Sequence, residues 1–153
     1  MKNILLAVDD TKGSKVSIPV FSHLFPCVRP ESVILLYVER FEGRSLMTEM
    51  LPESELATLK EVLQGTEYKA ALDKKADAIL GYYRKALEEK GVTGIKVIKK
   101  IGSPSEEILN TAKEEKADMI IIGSRGKTVG NLFMGSVSRE VANKAEIPVL
   151  LVK

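Results

Sequence analysis

The chain has 153 residues, 44% of them hydrophobic, which suits a single domain over residues 1–153 with a sizeable core. Its 23 basic and 21 acidic residues leave a net charge of +2, so the composition favours neither a nucleic acid nor an anionic membrane as a partner. A single cysteine, Cys27, excludes an internal disulfide, and no apolar run approaches the ~20 residues of a membrane span. We therefore expect a cytoplasmic protein.

Five short apolar runs alternate with helical patterns and predict the strands. They cover residues 3–8, 32–38, 95–101, 119–122 and 148–152, numbered β1 to β5 in that order. In β3 polar and apolar residues alternate, as in a half-exposed edge strand, whereas the other runs are apolar, as in strands buried on both faces. Strands that alternate with helices predict one parallel sheet with right-handed crossovers and helices on both faces.

The first predicted helix begins around Gly13, with Ser14 as a candidate N-cap. Pro19 lies inside this segment, so it should either kink the first turns or delay the start of the helix to about Ser17. Pro26 is expected to close the helix.

Two later helices carry clearer boundary signals. Thr66 is expected to cap a long amphipathic helix that Gly91 ends. Ser103, Pro104 and Glu106 have the spacing of a capping box with proline at the first helical position, which predicts a well-defined helix start after β3.

The hydrophobic pattern breaks up between β2 and the long helix. We interpret this stretch, about residues 40–67, as an insertion between the two elements, with a mobile loop at about 43–50 and a short helix at about 53–63. Its role is open, with a lid over a site and a contact to a partner subunit as the two alternatives.

Glycines cluster between β4 and the last predicted helix, residues 136–145. Gly123 and Gly126 follow β4, and Gly135 and Ser136 open the helix. Glycine lets the backbone approach a ligand closely, and a helix start leaves N–H groups free for an anion. The stretch predicts a phosphate-binding loop; turn glycines and an ordinary helix cap are the alternative.

Positive charge supports the phosphate interpretation. Arg125 and Lys127 lie within the glycine cluster. The segment Gly126-Lys127-Thr128 resembles the end of a Walker-A loop. That motif also needs a glycine at the position of Ile121, so we reject the Walker-A interpretation.

Acidic residues follow β1 at the edge where ligands bind in such sheets, outside the carboxyl ends of the strands. Asp9 is expected to accept a hydrogen bond from a ribose hydroxyl, or else to serve the adjacent helix start or a solvated turn. Asp10 is expected to be a surface residue.

Catalytic patterns are weak in this sequence. The one histidine, His23, lies within a helix beside Phe21 and Leu24, which indicates a structural or surface role. Cys27 has no nearby base, and no Ser/His/Asp set or metal-ligand spacing can be assembled.

The last strand, Pro148 to Val152, is apolar and ends the chain. Terminal strands commonly lie at a sheet edge, and an uncovered apolar edge is a liability unless it pairs. We therefore expect this strand to join two copies of the chain into a homodimer, antiparallel about a two-fold axis.

Three segments together resemble the universal stress protein family: ILLAVDDT at the start, GSPSEEILNTAKEEKADMIIIGSRG in the middle, and GSVSREVANKAEIPVLLVK at the end. The resemblance covers nearly the whole chain except about 40–67, a stretch that varies within the family. It implies an α/β three-layer sandwich, similar to adenine nucleotide alpha hydrolases, with a five-stranded parallel sheet of order 3-2-1-4-5. It also implies a homodimer through the last strand.

One branch of that family binds ATP and carries the pattern G-x2-G-x9-G-[S/T]. Gly123, Gly126, Gly135 and Ser136 match its fixed positions, but eight residues rather than nine separate Gly126 from Gly135. The shorter loop either keeps the phosphate site or moves Gly135 away from its phosphate.

By matched position, the resemblance implies roles for individual residues. Asp9 would contact the ribose and Val38 the adenine through its backbone, with Ala7 beside the adenine where the family often has a larger residue or proline. The implied ATP-binding residues are Ala7, Asp9, Val38, Ile122, Gly123, Arg125, Gly126, Lys127, Gly135, Ser136 and Val137. A magnesium ion could accompany the phosphates, although the sequence shows no dedicated ligands for it.

The leading hypothesis is an ATP-binding regulatory homodimer that acts as a switch in the stress response. No residue is an evident general base, so we expect at most weak hydrolysis. The alternative is a non-nucleotide interaction module of the same fold, and an unidentified protein partner stays open for either. An enzyme of the related pyrophosphatase type ranks last, because residues Asp9 to Ser14 depart from its Ser-Gly-Gly-x-Asp-Ser loop.

Overall fold

The computed structural model describes residues 1–40, 52, 54–55, 57–58, 67–124 and 134–153. Five strands and five helices are bounded within these residues. The strands are β1 (Asn3–Ala7), β2 (Ser32–Arg40), β3 (Ile95–Gly102), β4 (Met119–Gly123) and β5 (Val149–Val152). The helices are α1 (Lys12–Lys15), α2 (Ser17–Val28), α3 (Glu67–Glu88), α4 (Pro104–Glu114) and α5 (Ser136–Lys144).

The strands form one sheet of order β3-β2-β1-β4-β5, and every pair is parallel. β1 lies in the centre, where Ile4 pairs with Val33 of β2 on one side and with Met119 of β4 on the other. The predicted sheet and its order are confirmed, with β3 and β5 at the two edges. Strand order reverses between β1 and β4, which is the position where such sheets bind ligands.

Successive strand residues point to opposite faces of the sheet, and each face has its own core. On one face, Leu6 and Leu35 are buried with Phe21 of α2 and Tyr83 of α3. On the other face, Leu5, Ile34 and Ile120 are buried with Ile108 of α4 and Val141 of α5. Each fully buried apolar side chain stabilises the fold by roughly 1.5–3 kcal/mol, so both helix layers are needed to cover the sheet.

The first helical region differs from the prediction in two details. Thr11 rather than Ser14 is the N-cap of α1, because the Thr11 side chain accepts a hydrogen bond from the Ser14 amide. α2 begins at Ser17, as expected from Pro19, but it continues past Pro26 to Val28. The last turn persists because a proline removes only its own hydrogen bond, and the Arg29 amide still donates to the Phe25 carbonyl at 2.8 Å.

The start of α4 also departs from the predicted motif. Ser103 is the N-cap and Pro104 the first helical residue, but the Ser103 side chain makes no capping hydrogen bond. The capping box is therefore not formed, and the helix start depends on the fixed φ of Pro104 and on the Glu107 amide, which donates to the Ser103 carbonyl at 2.9 Å.

The predicted insertion lies mostly outside the described residues. This applies to the whole predicted loop at 43–50 and to most of the predicted helix at 53–63, where residues 54, 55, 57 and 58 are helical. Thr66 is outside the described residues as well. In the described ranges, no helix has both the length and the apolar character needed to cross a membrane.

Candidate functional site

A cleft of about 370 Å³ opens at the carboxyl ends of β1, β2 and β4, where strand order reverses. Its volume falls in the range of small-molecule sites. One wall is apolar and is formed on the α4–α5 side of the sheet by Ala7, Val38, Ile108, Ile122 and Val137. A flat apolar ligand group can be buried against this wall.

The turn from β1 to α1 forms the floor of the cleft and is closed by its own side chains. The Asp9 amide donates to Ser14 Oγ at 2.9 Å, and the Ser14 amide donates to Thr11 Oγ1 at 3.2 Å. The Thr11 amide, at 2.8 Å, and the Thr11 hydroxyl both donate to Oδ1 of Asp9. Among the described residues Oδ2 of Asp9 accepts no hydrogen bond, so it stays available to a ligand hydroxyl.

A tyrosine from the far helix reaches this turn. The hydroxyl of Tyr83, on α3, lies 2.9 Å from both the Asp9 carbonyl oxygen and Ser14 Oγ. Burial raises the pKa of Tyr83 to about 12, so the hydroxyl keeps its proton in the physiological pH range. Neither the sequence pattern nor the family resemblance singled out Tyr83, because a buried tyrosine at a helical position normally indicates core packing.

Gly123 brings the end of β4 against the start of α1. A Cβ at this position would lie 2.8 Å from the Gly13 carbonyl carbon, 2.9 Å from its oxygen and 2.9 Å from the Ser14 amide nitrogen. Real side chains do not tolerate such contacts with backbone, so only glycine allows this approach. The predicted need for glycine after β4 is thus explained first by backbone packing.

The start of α5 forms the opposite side of the cleft and is open. Its N-cap, Gly135, has no side chain to accept a hydrogen bond. Within the described part of the chain, the amides of Ser136, Val137 and Ser138 donate no hydrogen bond. Free N–H groups and the positive end of the helix dipole make this position suitable for an anion.

The position of α5 is fixed without use of these amides. The Gly135 amide donates to the Ser124 carbonyl at 2.8 Å, and the Ser138 hydroxyl lies 3.0 Å from the Gly135 carbonyl oxygen and 3.2 Å from that of Ser124. Residues on both sides of the loop between β4 and α5 therefore hold its two ends together. The first-turn amides stay preorganised toward the cleft.

The outer end of the cleft, at β2, contains a buried polar cluster. Glu39 is only 5% exposed, accepts a hydrogen bond from the Tyr37 hydroxyl, and lies 3.6 Å from Lys75 of α3. Burial, followed by the hydrogen bond to Glu39, raises the pKa of Tyr37 above its usual range. The sequence pattern did not single out this cluster, although the i, i+2 spacing of Tyr37 and Glu39 places both on one face of β2.

Most of the predicted site residues meet in this cleft. Its lining includes Ala7, Asp9, Val38, Ile122, Gly123, Gly135, Ser136 and Val137. Arg125, Gly126 and Lys127 lie outside the described residues, as does most of the segment that separates Gly126 from Gly135. Ligand contacts of all these residues stay predictions.

His23 and Cys27, for which the sequence predicts no catalytic role, lie outside the cleft lining. His23 is exposed, with Nδ1 2.7 Å from the Pro19 carbonyl oxygen, and Cys27 is exposed and free. In the described ranges, no three His, Cys, Asp or Glu side chains are grouped as a metal site would require.

The fold and the cleft define an α/β protein with a cleft at the carboxyl edge of a parallel sheet. The model of the Universal stress protein family matches residues 1–153, and the chain belongs to that family. Universal stress protein MJ0577 of Methanocaldococcus jannaschii is 32% identical over 158 residues, covering 99% of this chain and 94% of that protein.

Solved structures agree with this assignment. The MJ0577 structure has a TM-score of 0.75 at 31% identity, over 99% of this chain and 95% of that chain. An Archaeoglobus fulgidus universal stress protein in complex with dAMP has a TM-score of 0.66 at 18% identity, covering 100% of this chain and 98% of that one. A universal stress protein in complex with cAMP has a TM-score of 0.63 at 18% identity, over 99% and 95% of the two chains. The last two likenesses show the shared fold.

Proposed function

We propose that this universal stress protein binds ATP in the cleft and acts as a cytoplasmic regulatory homodimer. The observation that carries the nucleotide proposal is the open start of α5, where three consecutive amides have no partner among the described residues. Such groups are normally satisfied by side chains, water or a ligand, and an anionic ligand in the cleft would be a strong acceptor for them.

The cleft offers a different surface to each part of ATP. The apolar wall of Ala7, Val38 and Ile122 suits the adenine ring. The free Oδ2 of Asp9 suits a ribose hydroxyl, because a carboxylate oxygen accepts a strong hydrogen bond.

The phosphates would lie at Gly123 and at the amides of α5. Gly135, Ser136 and Val137 line the cleft there, and a helix N-terminus favours an anion by its free donors and its dipole. In this proposal Arg125, Gly126 and Lys127 add charge and backbone donors from the neighbouring loop. Two proteins of the same fold were solved with cAMP and dAMP, ligands that share adenine and phosphate with ATP.

Isothermal titration of the purified chain with ATP, with and without magnesium, tests the nucleotide proposal. We expect saturable binding that is tighter for ATP than for AMP, because two further phosphates meet the α5 amides. Mass spectrometry of small molecules released from the purified protein should detect an adenine nucleotide. No binding at millimolar ATP would refute the proposal and favour a non-nucleotide interaction module.

We further propose that β5 joins two copies of the chain. β5 is an edge strand of four apolar residues, three of them half-buried, and it carries no charge that would discourage pairing. The Pro148 and Val152 carbonyls face β4, so by alternation the N–H and C=O groups of Val149 and Leu151 face outward. These groups can form an antiparallel ladder with the same strand of a second copy.

The opposite edge strand of the sheet, β3, is less suited to pairing, which supports β5 as the dimer contact. β3 carries Lys96, Lys99 and Lys100, which pair with carboxylates on α3, on α4 and at the C-cap of α4, and charged edges discourage pairing. Light scattering should give a dimer for the native chain. Leu151→Pro removes an outward N–H, so it should yield a monomer whose circular dichroism is unchanged. A Leu151→Pro protein that stays dimeric would exclude the ladder.

A further inference from the structure

We propose that Tyr83 is a positioning residue that gives the cleft its preference for a ribose over a deoxygenated sugar. It would do so by fixing the turn that presents the Asp9 carboxylate. This inference rests on the proposed ATP binding and assigns a selectivity role to a side chain on the far helix, outside the lining of the cleft.

Tyr83 connects two distant parts of the chain at one atom. It belongs to α3, is 1% exposed, and its hydroxyl contacts residues 74 and 69 positions earlier in the sequence. In the described part of the chain it is the one side chain beyond the turn that hydrogen-bonds to Asp9, Thr11 or Ser14. Tyr83 therefore anchors Asp9 and Ser14 from the side, and it does so from a long helix.

The anchor holds both ends of the turn at once. Since Ser14 Oγ also accepts from the Asp9 amide, the hydroxyl of Tyr83 fixes the Asp9 backbone on both its N–H and its C=O side. Thr11 then immobilises Oδ1 of the same residue. Among the described residues Oδ2 has no partner, and the network sets its orientation.

Loss of the Tyr83 hydroxyl would leave a buried Ser14 hydroxyl and a backbone carbonyl short of a partner. Such groups recover hydrogen bonds by a shift of the turn, and a shift of a few tenths of an ångström is enough to misplace a carboxylate. Most of the apolar wall and the α5 amides are on other elements, so adenine and phosphate contacts should change less than the ribose contact. The effect should appear mainly with ligands that have a ribose hydroxyl.

The test compares Tyr83→Phe with Tyr82→Phe. Tyr82 is the adjacent, exposed tyrosine, which packs edge-on against Tyr83 and under Lys15, and its hydroxyl makes no hydrogen bond among the described residues. Each full-length protein is titrated calorimetrically with ATP and with 2′,3′-dideoxy-ATP. We expect Tyr83→Phe to weaken ATP binding about fivefold, the worth of one hydrogen bond, and to change dideoxy-ATP binding less than twofold. Tyr82→Phe should match the native protein with both ligands.

A second variant guards against a fold defect. Ser14→Ala removes the other half of the network while Tyr83 stays intact, and it should lower the ratio of the two affinities in the same way. An unchanged ratio in both variants would overturn the positioning role, as would an equal loss with both nucleotides, which indicates a merely structural hydroxyl. If the native chain bound neither nucleotide, the proposed function itself would fail, and that result is distinct from an unchanged ratio.

Discussion

Two helix starts face each other across the same cleft, and they are built in opposite ways. α1 has a side-chain cap, Thr11, and its turn uses Oδ1 of Asp9 to hold Thr11 as well. α5 begins at a glycine and leaves its first three amides without partners among the described residues. A helix start that is satisfied internally serves as scaffold, whereas one left open within a preformed cleft is where a ligand gains most.

The two helices behind these starts also differ in length. α1 has 4 residues and α5 has 9, so the aligned peptide dipoles behind the open start are more numerous. The short, closed start holds Asp9, a hydrogen-bond acceptor, and the longer, open start offers donors. A ligand with hydroxyls at one end and anionic oxygens at the other matches both.

The largest expected effect comes from Gly123, where the end of β4 packs against the start of α1. In Gly123→Ala the new Cβ would meet the Gly13 carbonyl and the Ser14 amide below 3.0 Å, so α1 must move away from β4. We expect a loss of about 1–3 kcal/mol in the free energy of unfolding, measured by urea denaturation.

Gly81 provides the matched control for that variant. It lies within α3, and a Cβ there would meet nothing within 4 Å. Gly81→Ala should therefore stabilise the chain by about 0.5–1 kcal/mol. Destabilisation by both alanines, or by neither, would contradict the steric argument.

The next effect addresses the open start directly. Ser136 is exposed, lines the cleft and is the first residue of α5. Ser136→Asp places a carboxylate where the phosphates are proposed to lie, so ATP affinity should fall at least tenfold, or about 1.4 kcal/mol. The same carboxylate interacts favourably with the positive end of the helix dipole, so it should raise the free energy of unfolding by about 0.5 kcal/mol.

Ser136→Asn is the neutral control, with the same shape and no charge. It should bind ATP more tightly than the aspartate variant and gain less stability. The opposite signs of the two effects distinguish an anion site from a helix start that merely lacks a cap. Equal ATP affinity in both variants would exclude phosphate at this position.

The closed start should show the reverse pattern. Thr11→Ala removes the cap of α1 and one of the two hydrogen bonds to Oδ1 of Asp9, which should cost about 1 kcal/mol of stability. ATP affinity should change much less than in Ser136→Asp, because the Thr11 amide still holds the carboxylate. Thr11→Ser keeps the hydroxyl and should restore most of the stability; a loss of binding larger than the loss of stability would contradict the scaffold role.

The two starts differ in how well the sequence predicts them, for a physical reason. The open start is predictable, because a Gly-Ser pair directly before an amphipathic run marks a helix start that lacks a side-chain cap. The prediction of Ser14 as the cap of the closed start is wrong, because Thr11 and Ser14 are both good caps and only the folded turn decides which one sits at the helix end. The alternation of strands and helices predicted the parallel sheet, and the family resemblance implied its strand order; both depend on local pattern.

Long-range contacts could not be predicted from the sequence pattern. Tyr83 reaches Asp9 across 74 residues and Lys75 reaches Glu39 across the layer between α3 and β2, and neither pairing has a local signature. Tyrosines and lysines at such positions normally belong to the core or to a solvated helix face. Only the packing of α3 on the sheet brings Tyr83 to the turn after β1 and Lys75 to the cleft.

The smallest expected effect concerns how α5 is held while its start stays open. Glu140 accepts hydrogen bonds from Lys144 at 2.7 Å and from the Ser105 hydroxyl of α4 at 2.8 Å, and these two contacts lower its pKa below the usual 4.5. A lowered pKa in the folded state means that the contribution to stability is present above pH 4.5 and is lost as pH falls through the folded pKa. Glu140→Gln should therefore be less stable than the native chain at pH 7, and the difference should shrink below pH 4.5.

Urea midpoints of the two proteins at pH 7 and in acid measure this difference. Glu146→Gln is the control, because the pair of Glu146 with Lys113 is exposed and spans 3.4 Å, and such pairs add little. Since Glu140 lies one turn beyond the open amides and its contacts leave them free, its loss should loosen α5 against α4 without supplying a cap. ATP affinity of Glu140→Gln should thus fall slightly, through poorer preorganisation, and a gain in affinity would show that α5 is better placed for phosphate when the bridge to Ser105 is broken.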